Sequence, residues 1–186
     1  MNCYILIGGQ SRRMGRPKTE LFFDRVAAAA SAVFEEVIAV QRHGGAAAPI
    51  TTIYESAHDE QAPIFGVACA LEHAREGCFI LAVDYPLITA DILRHLRERF
   101  ERSPALFVAP VWSGKTQMLC AGYAPELLAR IEQRVAAGRY DLKGLAGQGE
   151  AEILAEDDLR SKFAGEPLMN VNTPEEVQWI SRLVDR

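Results

Sequence analysis

The sequence predicts an α/β domain of three layers, a mostly parallel sheet covered by helices on both faces. Three observations carry this reading. Short apolar runs rich in β-formers alternate with helical stretches almost from end to end. The strongest of those runs, "CFILAV" before Asp84, is apolar without alternation, as in a strand buried on both sides. The first run, "CYILI" (Cys3 to Ile7), opens directly into a glycine-rich stretch, as strands that end at a ligand-binding edge do. At 186 residues, 49% of them hydrophobic and 24% charged, the chain has the mixture of one soluble domain spanning 1–186.

The elements follow in order. "CYILI" reads as a buried strand bounded by Gly8 and Gly9. "KTELFFDRVAAAASAVFEE" places Leu21, Phe22, Val26, Ala30, Val33 and Phe34 at helical spacing. "VIAVQ" and "ITTIYE" are a second and a third strand, and "IFGVACALEHAREG" a packed helix stopped at Gly77. After "CFILAVDYP", "TADILRHLRERFE" is an amphipathic helix with Thr89 as N-cap. "ALFVAPVW" and "KTQMLCAGY" read as strands, and "PELLARIEQRVAAG" as a helix with Pro125 in its first turn and Gly138 beyond its end. "AEILAE" is a further strand and "LMNVN" a final short one. In "TPEEVQWISRLV", Thr173 and Glu176 stand at the two positions of a capping box. Two small-residue loops, Gly44 to Ala48 and Gly138 to Gly149, are the expected mobile segments.

A net charge of −5 argues against a general nucleic-acid binder. The four cysteines (Cys3, Cys69, Cys78, Cys120) form no CxxC pair and lack a histidine partner at metal spacing, so free thiols in a reducing compartment are expected. The opening "MNCYILIGG" has neither a basic n-region nor a long apolar core, so no secretory signal is expected. No apolar run approaches the ~20 residues of a membrane span, and the expectation is a cytoplasmic protein.

Against that acidic total, the stretch "GGQSRRMGRPK" (Gly8 to Lys18) stands out. It interleaves three glycines with Arg12, Arg13, Arg16 and Lys18, with no acid before Glu20. Glycine lets backbone N–H groups approach phosphate oxygens closely, and Arg13 and Lys18 add positive charge where a polyphosphate lies. The stretch is neither a Walker A loop, since Gly15 is followed by Arg16 and Pro17 before Lys18, nor a GxGxxG dinucleotide motif. "APVWSGKT" (Ala109 to Thr116) does fit a loosened Walker pattern, but strand-like residues follow it, so "WSGK" reads as a turn. Asp84, at the end of the strongest strand, offers the kind of carboxylate a hard divalent cation takes beside phosphate oxygens and water. Asn170 and Asn172, two apart in the predicted last strand, would share a face.

"LIGGQSRRMGRPK" (Leu6 to Lys18) resembles the signature LAGGxSxRMGxxK of nucleotidyltransferases that activate small phosphates with a nucleoside triphosphate. Within that superfamily the chain is most similar to the molybdenum cofactor guanylyltransferases. "APIFG" (Ala62 to Gly66) stands where they have a GPLAG-like segment, "LAVDYP" (Leu81 to Pro86) where a strand ends in aspartate, and "MNVNTPEE" (Met169 to Glu176) near the carboxyl terminus. The resemblance implies a Rossmann-like nucleotidyltransferase fold and Mg²⁺-dependent transfer of GMP from GTP to molybdopterin or its molybdenum-loaded form, with release of pyrophosphate.

The resemblance also implies roles. Leu6, Gly8, Gly9, Ser11, Arg13, Lys18, Glu55 and Asp84 would bind the nucleotide, with Asp84 as the magnesium ligand. Lys18 would neutralise the triphosphate and Arg13 hold the departing pyrophosphate. Asn170 and Asn172 would face the molybdopterin, and other molybdenum cofactor biosynthesis proteins or apo-molybdoenzymes would be partners. The nucleophile is a phosphate already anionic, so no general base is needed, and none of His43, His58, His73 and His95 has a partner that marks one. Three positions depart from the family. "TELFFDRVAAAASAVF" lacks the LxGKPL-type loop, Ala39 stands where relatives often carry an asparagine on the guanine side, and Glu55 replaces an aspartate. Two other readings stay open: a nucleotidyltransferase for CTP or a sugar phosphate, and a non-catalytic module that carries molybdopterin or nucleotide.

Overall fold

The computed structural model describes residues 1–7, 18–44, 48–147, 149–171, 173, 175–177 and 179–180, with the side chains of the first helix from residue 22 onward. The elements run β1 (Cys3–Leu6), α1 (Lys18–Ser31), β2 (Val37–Gln41), β3 (Thr52–Tyr54), α2 (Pro63–Ala74), β4 (Cys78–Ala82), α3 (Ala90–Arg102), β5 (Phe107–Trp112), β6 (Lys115–Thr116), β7 (Cys120–Tyr123), α4 (Leu127–Ala136), β8 (Ala151–Leu154) and α5 (Glu156–Lys162). The strands join in the order β3-β2-β1-β4-β7-β5-β6, with β8 on β5. Pairing is parallel through β3, β2, β1 and β4, and antiparallel only where β7 and β6 enter.

Unbroken apolarity in the strands is explained by what lies on each side. Cys3 and Ile5 of β1, with Ala39, Phe79 and Leu81, pack under Phe22, Phe23 and Val26 of α1 and Ile92, Leu93 and Leu96 of α3. Tyr4 and Leu6, with Ile38, Val40 and Ile80, pack under Ile64, Val67 and Leu71 of α2 and Leu127 and Ile131 of α4. Successive side chains of a strand point to opposite faces, and each face here has its own helical layer. Each fully buried aliphatic or aromatic side chain contributes about 1.5–3 kcal/mol, so this sandwich is the main stabilising element. None of the described helices is long and apolar enough to cross a membrane.

Several local expectations hold in detail. Thr89 caps α3, its side chain accepting from the Ile92 amide. Thr173 and Glu176 bond reciprocally, the Thr173 amide to the Glu176 carboxylate at 2.9 Å and the Glu176 amide to the Thr173 hydroxyl at 3.2 Å. Ser113 and Gly114 both have positive φ (51° and 69°), as a two-residue hairpin turn between twisted strands requires. "WSGK" is therefore a hairpin tip. Gly138, φ +68°, follows α4. All four cysteines are free, and burial pushes the Cys78 thiol up to about 12.

Three expectations are corrected, and one further helix appears that the sequence reading did not assign. Helix α2 stops at Ala74 rather than at Gly77: Arg75 takes the left-handed cap conformation (φ 57°) and its amide bonds the Leu71 carbonyl at 3.1 Å. "KTQMLCAGY" is two strands, because β6 ends at Thr116 and β7 begins only at Cys120. "LMNVN" forms no strand over its described residues, since its one link to the sheet edge is a single backbone bond. "EDDLRSK" is a helix, α5, which buries only Leu159 and therefore shows no periodicity to read.

The Gly138–Gly149 loop is tethered at its far end. Arg130 of α4 donates to both Glu150 oxygens (2.6 and 2.8 Å) and to the Leu145 carbonyl, while Glu150 accepts from the Gly147 amide. The Arg130 hydrogen bond first, then the Gly147 amide, lower the Glu150 carboxyl from its ordinary 4.5 to about 2. A depressed acid stabilises the fold fully above its unfolded value and loses that contribution as pH falls through the folded one. The Gly147 amide resonance is expected to titrate near 2 in the native protein and at clearly higher pH after Arg130→Met, which two-dimensional NMR across the acid range reads directly.

Candidate functional site

The carboxyl ends of β3, β2, β1 and β4 form one edge, and three backbone bonds just beyond the strands set what stands on it. The Glu55 amide bonds the Gln41 carbonyl (2.9 Å), the Ile7 amide bonds the Val40 carbonyl (3.0 Å), and the Val83 amide bonds the Leu6 carbonyl (3.3 Å). Glu55, Gln41, Ile7 and Asp84 therefore follow one another across four adjacent strand exits. With strands ~4.8 Å apart, Glu55 and Asp84 stand roughly 14 Å from each other along the edge. The glycine-rich stretch leaves β1 between them.

Gly8, Gly9, Ser11, Arg13 and Asn172 lie outside the described residues, as does the Lys18 side chain. The described flanks are Ile7, which the β1–β4 register sets opposite Val83, one residue before Asp84, and Lys18, the first residue of α1.

Asp84 sits two residues past β4, partly exposed, in the turn that leads to Pro86. Its backbone carbonyl accepts from the Val171 amide at 3.0 Å, which anchors the carboxyl-terminal segment at this strand exit and sets Asn170 beside it. Asn170 Oδ1 is buried with no hydrogen-bond partner among the described residues. Burial above all pushes the neighbouring Tyr85 hydroxyl upward, with an Asn170 hydrogen bond acting the other way. Tyr85 donates to Gln117 Oε1 at 3.0 Å, and Gln117 in turn donates to the Trp112 and Lys115 carbonyls. That chain ties the Asp84 turn to the β5–β6 hairpin. Since "LMNVN" is not a strand, no regular alternation places Asn170 and Asn172 on a common face.

At the other end of the row, Glu55 is half-buried, and burial raises its carboxyl while Arg42 pulls the opposite way. Arg42 itself donates to the His58 carbonyl. Gly66 of α2 makes this corner possible: a Cβ there would come within 3.0 Å of both Glu55 Oε1 and Leu6 Cδ2. The helix thus lies directly on the β1 and β3 exits, its first turn carrying Pro63 and no side-chain cap. The residue-by-residue reading assigned no part to Gly66 or Gln41. The available signal for Gln41 was a lone amide ending the otherwise apolar "VIAVQ".

No group of three or more His, Cys, Asp and Glu side chains among the described residues is arranged to hold a metal. The histidines are taken up by aromatic packing: His43 stacks on Tyr54, His58 on Phe65, His73 meets Tyr4 and His95 leans on Phe163. A cavity of about 580 Å³ lies elsewhere, lined by Phe107, Lys115, Met118, Lys143, Leu145 and Ile153 among others, and includes none of the edge residues.

Comparison with known proteins places the chain by family and fold. The family described as MobA-like NTP transferase domain matches residues 3–153. A probable molybdenum cofactor guanylyltransferase from Aquifex aeolicus (strain VF5) is 31% identical over 192 residues, covering 96% of this chain and 89% of that protein. Another from Mycobacterium marinum is 27% identical over 187 residues, with 91% and 87% covered. The crystal structure of molybdopterin-guanine dinucleotide biosynthesis protein A from Archaeoglobus fulgidus has the same fold, with a TM-score of 0.85 over 100% of this chain and 99% of that one at 22% identity.

Proposed function

Since the chain belongs to the MobA-like NTP transferase family, we propose that it transfers GMP from GTP to molybdopterin, or to molybdenum-loaded molybdopterin, in the cytoplasm. The observation that carries this reading is the single strand edge that gathers Glu55, the exit into the glycine-rich stretch, Asp84 and the anchored Asn170 segment.

The acceptor's terminal phosphate oxygen attacks the α-phosphorus of GTP. The bond from that phosphorus to the oxygen bridging to the β-phosphate breaks, and pyrophosphate leaves. Catalysis of this kind is chiefly positioning and charge stabilisation. Backbone groups of Leu6, Gly8, Gly9 and Ser11 would cradle the nucleotide, with Lys18 and Arg13 neutralising the triphosphate and the departing pyrophosphate. Glu55, half-buried and poor in partners that favour its charge, suits the N–H donors of a guanine edge. Asn170, with a buried oxygen that has no partner among the described residues, suits a donor on the pterin.

The implied divalent cation fits what stands at this edge. Mg²⁺ is bound through one or two carboxylates, the rest of its shell being phosphate oxygens and water, and Asp84 supplies a partly exposed carboxylate at the strand exit. When bound, the ion neutralises phosphate charge; Asp84 is the residue that would hold it.

Pyrophosphate release from GTP, CTP, ATP and UTP, each with molybdopterin and Mg²⁺, tests the reading. Turnover is expected with GTP and should be lost in Lys18→Ala with the protein still folded. Preference for CTP would overturn the choice of base. Nucleotide binding without any pyrophosphate would replace the enzyme by a carrier module.

A further inference from the structure

Gln41 is the only buried polar or charged residue of the described core, 3% exposed, and its Nε2 has no hydrogen-bond partner among the described residues. A buried amide without a partner costs about 1–3 kcal/mol, so it is rarely kept unless something else satisfies it. Its place in the fold says what that is. Gln41 ends β2 and is paired in register with Tyr54 of β3, so the two side chains leave the sheet on the same face. Its carbonyl takes the Glu55 amide, and the preceding residue's carbonyl takes the Ile7 amide at the mouth of the glycine-rich stretch. Ala39, two residues earlier on that face, brings no polar atom. Gln41 thus ends the strand that lies between the two strand exits at which a nucleotide's base and phosphates would begin.

We propose that Gln41 reads the nucleobase: its Nε2 donates to a carbonyl oxygen on the base, the six-position oxygen of a guanine, and so selects keto over amino purines. This rests on the nucleotidyltransferase reading above and adds a specificity determinant to it. The chemistry is asymmetric. A carbonyl at that position accepts the hydrogen bond, whereas the amine of adenine sets donor against donor and leaves both unmet.

The test measures Kd by calorimetric titration of the full chain, in Mg²⁺, with GTP, ITP and ATP. ITP keeps the six-position oxygen and the N1–H and lacks only the two-position amine, so it isolates the amine; the Gln41 variants, which leave Glu55 in place, separate a Gln41 contact from one made by Glu55. Wild type should bind GTP and ITP more tightly than ATP. In Gln41→Met and in Gln41→Leu, both GTP and ITP should weaken by about 10- to 100-fold, towards an unchanged ATP value. The melting temperature of the free variants should stay level or rise, because an unmet buried amide has been removed. Variants that keep the wild-type ratio of ATP to ITP affinity overturn the inference, as does a wild type that binds all three alike. A fall in melting temperature in both variants, or failure of both to fold, overturns it as well, by showing that the amide serves the fold. If wild type binds no nucleotide at all, the parent reading falls with it; any other failure leaves that reading in place.

Discussion

Asp84→Ala lowers the rate of pyrophosphate release by about 10²- to 10³-fold, the usual loss when one charge-stabilising group at a transferring phosphoryl centre is removed. The expected loss is catalytic rather than structural for two reasons. The side chain is partly exposed at the end of β4, outside both core clusters, so its removal leaves no apolar cavity. The bond from the Val171 amide, which anchors the carboxyl-terminal segment, uses the Asp84 backbone carbonyl, which alanine keeps. Asp84→Asn separates charge from shape, and should resemble the alanine variant if the carboxylate's charge is what counts. Steady-state turnover beside circular dichroism decides the matter. A variant with native spectrum and wild-type turnover would remove Asp84 from the chemistry.

The largest expected effect on stability comes from a residue with no functional mark. Gly122, in the middle of β7, lies under the Phe100 ring of α3: a Cβ there would fall 2.3 Å from Phe100 Cγ and 2.5 Å from Cδ2. Gly77, just before β4, meets the same ring, with 3.1 Å to its Cε1. The two glycines form the slot that lets α3 settle onto β4 and β7. Gly122→Ala forces the ring aside and is expected to cost about 1–3 kcal/mol, as over-packing of a tight core does. For a chain of this size that is a fall of roughly 3–10 °C in melting temperature. Phe100→Ala destabilises by leaving the slot empty, yet in the Gly122→Ala background it relieves the clash. The double-mutant cycle should therefore show a coupling of at least about 1 kcal/mol. Additive losses would mean that the ring and the glycine do not share the space.

Much of this architecture was legible because local chemistry decides it. A strand apolar at every position must be covered on both faces, which "CYILI" and "CFILAV" announced and the two helical layers confirm. Caps and turns are likewise settled within four residues, as Thr89, the Thr173–Glu176 pair and the Ser113–Gly114 hairpin show. The positions of Glu55 and Asp84 at strand ends followed from the same patterns. The misread places are those where a distant partner overrides a local signal. Gly77 looked like a helix stop, but Arg75 ends the helix and Gly77 is small because Phe100 lies against it. "LMNVN" looked like a strand, but it meets the chain beyond the end of β4, where among its described residues a single backbone bond, from Val171 to Asp84, is made.

Composition and periodicity were thus enough for the layer type, the number of main strands and the strand exits that carry polar residues. Which exits are neighbours was decided by the strand order β3-β2-β1-β4, and hence by connections of ten residues and more that short-range patterns do not encode. That order brings Glu55, Gln41, the glycine-rich exit and Asp84 into one row, and only the packed sheet exposes Gln41 as a buried donor without a partner among the described residues. A residue's chemistry is written at its own position; whether its needs are met depends on atoms tens of residues away.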